Sequence, residues 1–222
     1  MVEINMKYKA IIFDLDGTLL NTIDDLANSM NRVLIQENFP IHTVADYKLM
    51  VGYGAYELVK RALPDTVKQE KNILAYLEQF KIDYFKNWNV KTELYSGIPD
   101  LLKELKQKGI RLTILSNKPQ QATLKCIEQY LKDFRFEMII GQREGIPAKP
   151  DPIGALEICD YLKLSPEQVL FVGDTTVDIE TGKRAGMYTV GVTWGFRSKV
   201  ELEKAKADYI IDQPNDLLTI FN

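Results

Sequence analysis

Histidine is nearly missing from this chain: His42 is the only one in 222 residues. That excludes a histidine-based catalytic triad and a zinc site built from several histidines. Cysteine is almost as scarce. Cys126 and Cys159 lie on apolar helical stripes without CxxC spacing, so buried free thiols are expected rather than a redox or metal pair. No window approaches the roughly eighteen consecutive apolar residues of a membrane-spanning helix, and Met1 to Lys7 lacks the apolar segment of a signal peptide. A cytoplasmic protein without a membrane partner is expected. Basic blocks are lacking too: 28 Lys and Arg are scattered among 31 Asp and Glu, for a formal charge of −3. This distribution argues against nucleic acid as a partner. What remains is an ordinary globular composition, 45% apolar and 27% charged, in a chain long enough to bury a full core.

Short apolar runs alternate with amphipathic stretches. Tyr8 to Phe13 reads as a buried strand, followed by strand candidates at Arg111 to Leu115, Glu137 to Ile140, Gln168 to Val172, Tyr188 to Val192 and Tyr209 to Ile211. Helical patterns separate them. Ile98, Leu101, Leu102 and Leu105 are spaced i, i+3, i+4, i+7, with Gly109 as a stop signal. The alternation predicts an α/β protein with a Rossmann-like, doubly wound parallel sheet. Residues 20–92 break the rhythm with helical stripes and no convincing strand. The expected organisation is an α/β core of residues 1–19 and 93–222, with 20–92 inserted as an all-helical cap.

Four short motifs carry chemistry. In Asp14-Leu15-Asp16-Gly17-Thr18, which follows the first strand, Asp14 is placed to attack phosphorus and Asp16 to act as general acid and then base. Gly17 lets the backbone turn tightly, so amides approach a phosphate. A hairpin Asp-Gly turn is the structural alternative. Ser116-Asn117-Lys118-Pro119 follows another strand; its hydroxyl and amides suit phosphate oxygens, and the same residues suit a helix start. Lys149, between turn residues, is either a neutraliser of phosphoryl charge or a solvated lysine. In Gly173-Asp174-Thr175-Thr176-Val177-Asp178, two carboxylates one helical turn apart suit either a hard divalent cation or ordinary helix capping.

Their joint placement says more than any one motif. In a parallel sheet all carboxyl ends lie along one edge, where ligands of open α/β sheets bind. Asp14, Ser116 and Asp174 each follow a strand, so they should share one crevice. Carboxylates gathered there would repel a phosphate, and Mg2+ together with Lys149 removes that repulsion.

In the order and spacing of these motifs the chain resembles the haloacid dehalogenase superfamily, in particular its phosphatases with a helical cap inserted after the first motif. The resemblance spans nearly the whole sequence. It implies Asp14 as nucleophile, Asp16 as general acid/base, and Ser116 and Lys149 as phosphoryl ligands, with Asn117 in the same phosphate-binding loop. It also implies Mg2+ held by Asp14, the Asp16 carbonyl and Asp174, with Asp178 orienting a metal water or Lys149. Asn21 stands where many relatives carry aspartate, which should affect cap hinging rather than chemistry.

Val51 to Leu58, Arg61-Ala62-Leu63 and Gly191 to Phe196 look like the phosphoglycolate phosphatase branch. This makes a small phosphorylated metabolite the expected partner and 2-phosphoglycolate the first candidate. A sugar phosphomutase, or a pyrophosphatase or nucleotidase of the same superfamily, is the alternative, in a monomer or homodimer. Gly52, Tyr53 and Gly54 form either a substrate-facing cap loop or a tight link between two helices. They are no dinucleotide fingerprint, because Glu57 occupies the third glycine position and no strand precedes them. Lys48 and Arg61 are candidates for a substrate carboxylate or simply solvated cap charges, and Arg197 is either a rim residue or unremarkable.

Overall fold

The computed structural model describes residues 7–221; residues 1–6, which include most of the N-terminal stretch read above, and residue 222 lie outside it. Ala10–Phe13 (β1) is a short run of wholly buried apolar residues. Its alternation feeds two layers. Ile11 and Phe13 belong to one hydrophobic cluster, Ala10 and Ile12 to the other, as successive side chains of a strand point to opposite faces. Val169–Gly173 (β6) repeats the pattern: Leu170 and Val172 face the first cluster, Val169 and Phe171 the second.

Six strands form one sheet. Arg111–Pro119 (β4), Met138–Gln142 (β5), Tyr188–Val192 (β7) and Tyr209–Ile211 (β8) join β1 and β6 in the order β5-β4-β1-β6-β7-β8, with every pair parallel. Helices Ile98–Gln107 (α5) and Gln120–Tyr130 (α6) pack on one face and Ile153–Leu162 (α7) on the other. This is the expected doubly wound α/β arrangement. The strands differ from expectation at their ends. β4 continues beyond Leu115 to Pro119 after a shift in register against β5, so Ser116-Asn117-Lys118 lies within an extended strand end rather than after it. Both cysteines are free and buried, Cys126 on α6 and Cys159 on α7.

Between β1 and α5 the chain forms Ile23–Gln36 (α1), Val44–Met50 (α2), Ala55–Ala62 (α3) and Glu70–Asn87 (α4). These helices have their own core, with Met30, Leu34, Tyr47 and Val59 fully or almost fully buried. The links into and out of this insert, Leu20–Asn21 (β2) and Glu93–Leu94 (β3), pair antiparallel. Asp25 on α1 clasps the returning chain: its carboxylate accepts from Lys91 N (3.0 Å), Thr92 N (2.9 Å) and Thr92 Oγ1 (2.8 Å). Arg32 binds Asp83 bidentately and ties α1 to α4.

Candidate active site

Parallel strands place Asp14, Ser116 and Asp174 at one sheet edge. β1 ends at Phe13, and the Asp14 amide still donates to Val172 O of β6 (2.9 Å). The chain then folds back on itself, with the Leu19 and Leu20 amides donating to Leu15 O and Gly17 N to Leu20 O. This loop requires Gly17. Its φ is +90°, and a Cβ there would collide with the Asp174 carboxylate. The hairpin reading of Asp16-Gly17 does not hold, since β1 pairs on both sides with parallel strands.

Lys149 is the centre of charge. Its ammonium lies 2.7 Å from both Asp14 Oδ1 and Asp178 Oδ1, with all three side chains buried. Burial would lower its pKa, but Asp14 and Asp178 outweigh that and hold it above the ordinary lysine value. Asp174 is completely buried; Thr18 Oγ1 donates to its Oδ1 (3.2 Å) and Phe196 N to its Oδ2 (2.7 Å). Asp14, Asp174 and Asp178 each offer an oxygen within 4.8 Å of the others. Of these three clustered carboxylates, Asp14 and Asp178 are bonded to the Lys149 ammonium and Asp174 is not. Burial, chiefly, pushes Asp14 up to about 7, against the pull of Lys149 and with further upward pressure from Asp178 and Asp16. Burial, then Asp178 and Asp14, likewise raise Asp174 well above the usual carboxylate range. The donor set is all oxygen, desolvated and short of positive charge, which fits a hard divalent cation.

The capping reading holds at Asp178. Thr175 is the N-cap of Thr176–Arg184 (α8), and Asp178 Oδ2 accepts from its amide (3.0 Å) and hydroxyl (2.7 Å). The other carboxylate oxygen is left for Lys149. At Ser116 the capping reading does not hold: the N-cap of α6 is Pro119, without a side-chain cap bond. Ser116 Oγ accepts from Lys118 N (3.2 Å) and borders the cavity.

Asn117 also borders the cavity, but its side chain is committed elsewhere. The amide nitrogen donates to Gly52 O and Lys149 O (both 2.9 Å), and its oxygen accepts from Lys149 N (2.8 Å). It therefore joins the Lys149 loop to the helical insert. Gly52 and Gly54, with φ of +111° and +85°, link α2 to α3 and also line the cavity; the two readings of this pair describe one loop. Tyr53, Lys48 and Arg61 do not line it. Arg61 instead donates to Leu49 O and Met50 O, approaches Glu57, and stands over the Tyr53 ring at 4.7 Å.

Lys118 and Tyr84 join the site without a role in the motif reading, whereas Arg197, a rim candidate, does not line the cavity and holds the insert instead. Lys118 is buried, donates to both oxygens of Asp16 (2.9 and 3.1 Å), and donates to the Tyr84 hydroxyl of the insert (2.9 Å). Its sequence signal is a lysine at a strand end beside Ser116, in a run that suits both a phosphate-binding loop and a helix start. Tyr84 was legible only as a member of an apolar stripe. Arg197, 8% exposed, donates to Val51 O (2.9 Å) and Leu49 O (3.2 Å) of the insert. The cavity enclosed between insert and sheet edge measures about 380 Å3, with Asp14, Asp16, Ser116, Lys118 and Lys149 at its polar end.

Relatives carry the same architecture. A phosphoglycolate phosphatase of Aquifex aeolicus (strain VF5) is 34% identical over 218 residues, covering 96% of this chain and 97% of the relative. One from Haemophilus influenzae (strain ATCC 51907 / DSM 11121 / KW20 / Rd) is 33% identical over 222 residues, covering 97% and 99%. The crystal structure of a predicted phosphoglycolate phosphatase from Haemophilus somnus 129PT superposes with a TM-score of 0.91 at 31% identity, covering 98% of this chain and all of that one. Residues 11–192 match the family model for haloacid dehalogenase-like hydrolases, and with near-full-length relatives above 30% identity the chain belongs to that family.

Proposed function

We propose that the protein is a Mg2+-dependent phosphatase that hydrolyses a small phosphomonoester through a phosphorylated Asp14, with 2-phosphoglycolate the first ester to test. The observation that carries this reading is the single ammonium of Lys149 set 2.7 Å from Asp14 and Asp178 beside a third buried carboxylate, Asp174. Asp14, Asp174 and the Asp16 carbonyl would hold Mg2+, which would supply the positive charge that lets an anionic ester approach an anionic nucleophile. The names of the relatives and the family match support the substrate class.

In the first step an Asp14 oxygen forms a bond to phosphorus, the bond to the leaving oxygen breaks, and the Asp16 carboxyl gives that oxygen its proton. In the second step Asp16, now a carboxylate, takes a proton from water. The water oxygen attacks phosphorus, and the bond to Asp14 breaks to release phosphate. Lys149 and Ser116 hold the phosphoryl oxygens. Asp178 fixes Lys149, and Lys118 fixes Asp16. The helical insert acts as a cap that keeps bulk water from the cavity.

The test is phosphate release from 2-phosphoglycolate, pyrophosphate and β-glucose 1-phosphate, with isomer formation followed in parallel. Release from 2-phosphoglycolate that stops on chelation is expected. Activity that survives chelation removes the metal from the scheme, and isomerisation without phosphate release identifies a mutase instead.

A further inference from the structure

The phosphate end of the cavity accounts for only part of it. The volume of about 380 Å3 falls in the range of roughly 300–1,000 Å3 that holds drug-sized ligands. Its lining also includes Leu58, Phe80, Tyr84, Phe85, Trp88 and Phe196. Phe80 and Tyr84 are stacked, with ring centroids 5.6 Å apart and planes 14° from parallel. Phe85 is 62% exposed and lines the cavity, so its ring is accessible to a ligand there.

The space does not come from a detached insert. Tyr84 is bonded to Lys118, Asn117 to Gly52, and Arg197 to Leu49 and Val51. Four residues of the insert are thus held from the core while the apolar volume remains. Charge gives little grip on a leaving group. Lys149, Lys118 and Lys81 already face Asp14, Asp16 and Glu78, and Lys125 lies 3.4 Å over the Phe85 ring. A two-carbon acid would leave most of the aromatic wall without a partner.

We infer that the site also hydrolyses monophosphate esters of alcohols bearing an aromatic ring, with the ring seated against Phe80, Tyr84, Phe85 and Phe196. This rests on the phosphatase reading and concerns only the leaving group. The reaction balances as above: the alcohol leaves with the proton from Asp16, and water supplies the oxygen to phosphate.

The decisive comparison is 2-phenylethyl phosphate against ethyl phosphate, both esters of primary alcohols, with 2-phosphoglycolate as a third substrate and Asp14→Asn as blank. The expected result is a kcat/KM for the phenylethyl ester at least about tenfold above the ethyl ester, the scale of burying a phenyl group. Phe85→Ala, at an exposed position that folding tolerates, lowers that ratio severalfold. A ratio near or below one in the unsubstituted protein, with ethyl phosphate or 2-phosphoglycolate turned over, overturns this inference alone. If no ester is hydrolysed above the blank, the phosphatase reading falls and this one with it.

Discussion

Lys118 of the core donates to the Tyr84 hydroxyl of the helical insert across 2.9 Å, and the same ammonium grips both carboxylate oxygens of Asp16. The position of the insert is thereby linked to the side chain proposed as general acid/base. Lys118 is buried, and although burial alone would depress its pKa, Asp16 and Tyr84 keep it well above the ordinary lysine value. Tyr84→Phe removes one acceptor from a buried cation while keeping the ring stacked on Phe80. A loss of about 1–3 kcal/mol in stability is expected, measured by urea unfolding, with kcat lowered more than KM is raised. An unchanged kcat would show that the bond serves only to hold the insert.

Asp14→Asn should abolish turnover and leave the fold intact. The amide replaces a buried carboxylate whose charge is poorly compensated, and Lys149 keeps Asp178 as partner. Phosphate release and circular dichroism check the two halves. Persistent turnover in this variant would remove the covalent scheme.

The same imbalance dictates a pH dependence. Asp14 has its folded-state pKa raised from the ordinary aspartate value to about 7, mainly by burial, and Asp174 is shifted in the same direction. The folded protein therefore binds more protons than the unfolded chain between about pH 4 and 7. Metal-free stability should be highest at the acid end of that window and fall as pH rises through it, by an amount of order a few kcal/mol. Mg2+ should restore stability increasingly toward pH 7 and above, because it competes with those protons. Melting temperatures across the window, with and without Mg2+, test this; Asp14→Asn should flatten the metal-free slope. A metal-free stability that rises over that interval would contradict the assigned burial effect.

Much of this site was legible in the sequence because its residues sit where local patterns end. Asp14 and Asp174 follow runs whose apolar character marks buried strands, and parallel pairing then brings those ends together. Ile11 and Phe13 against Ala10 and Ile12 show why such runs read clearly: both faces of the strand are covered. The helical stripes of α1 and α4 were equally plain. Lys118 with Asp16 and Tyr84 was not, nor Arg197 with Val51. Those contacts join positions distant in the chain, and each depends on how the insert settles on the sheet, which no local periodicity encodes. Lys48 and Arg61 illustrate the converse. Their charge suggested a substrate carboxylate, yet Arg61 is spent on backbone carbonyls of its own loop and neither residue reaches the cavity.

Arg197 is the strongest remaining test of how the insert is held. Its guanidinium reaches from the core to Leu49 O and Val51 O just before Gly52, while its other terminal nitrogen is buried without a partner and Glu201 lies 3.8 Å from Nε. Both contacts come from one nitrogen, Nη2, and the shorter lysine side chain does not bring its ammonium to that point. Arg197→Lys should therefore raise KM more than it lowers kcat, since the loop bearing Gly52 and Gly54 lines the cavity while Asp14, Asp16 and Lys149 are untouched by the change. Arg197→Ala should raise KM further and speed hydrogen exchange in residues 49–54 without lowering protection in β1 and β6. Equal protection of that segment in all three proteins would mean that Asn117 alone holds the loop against the core.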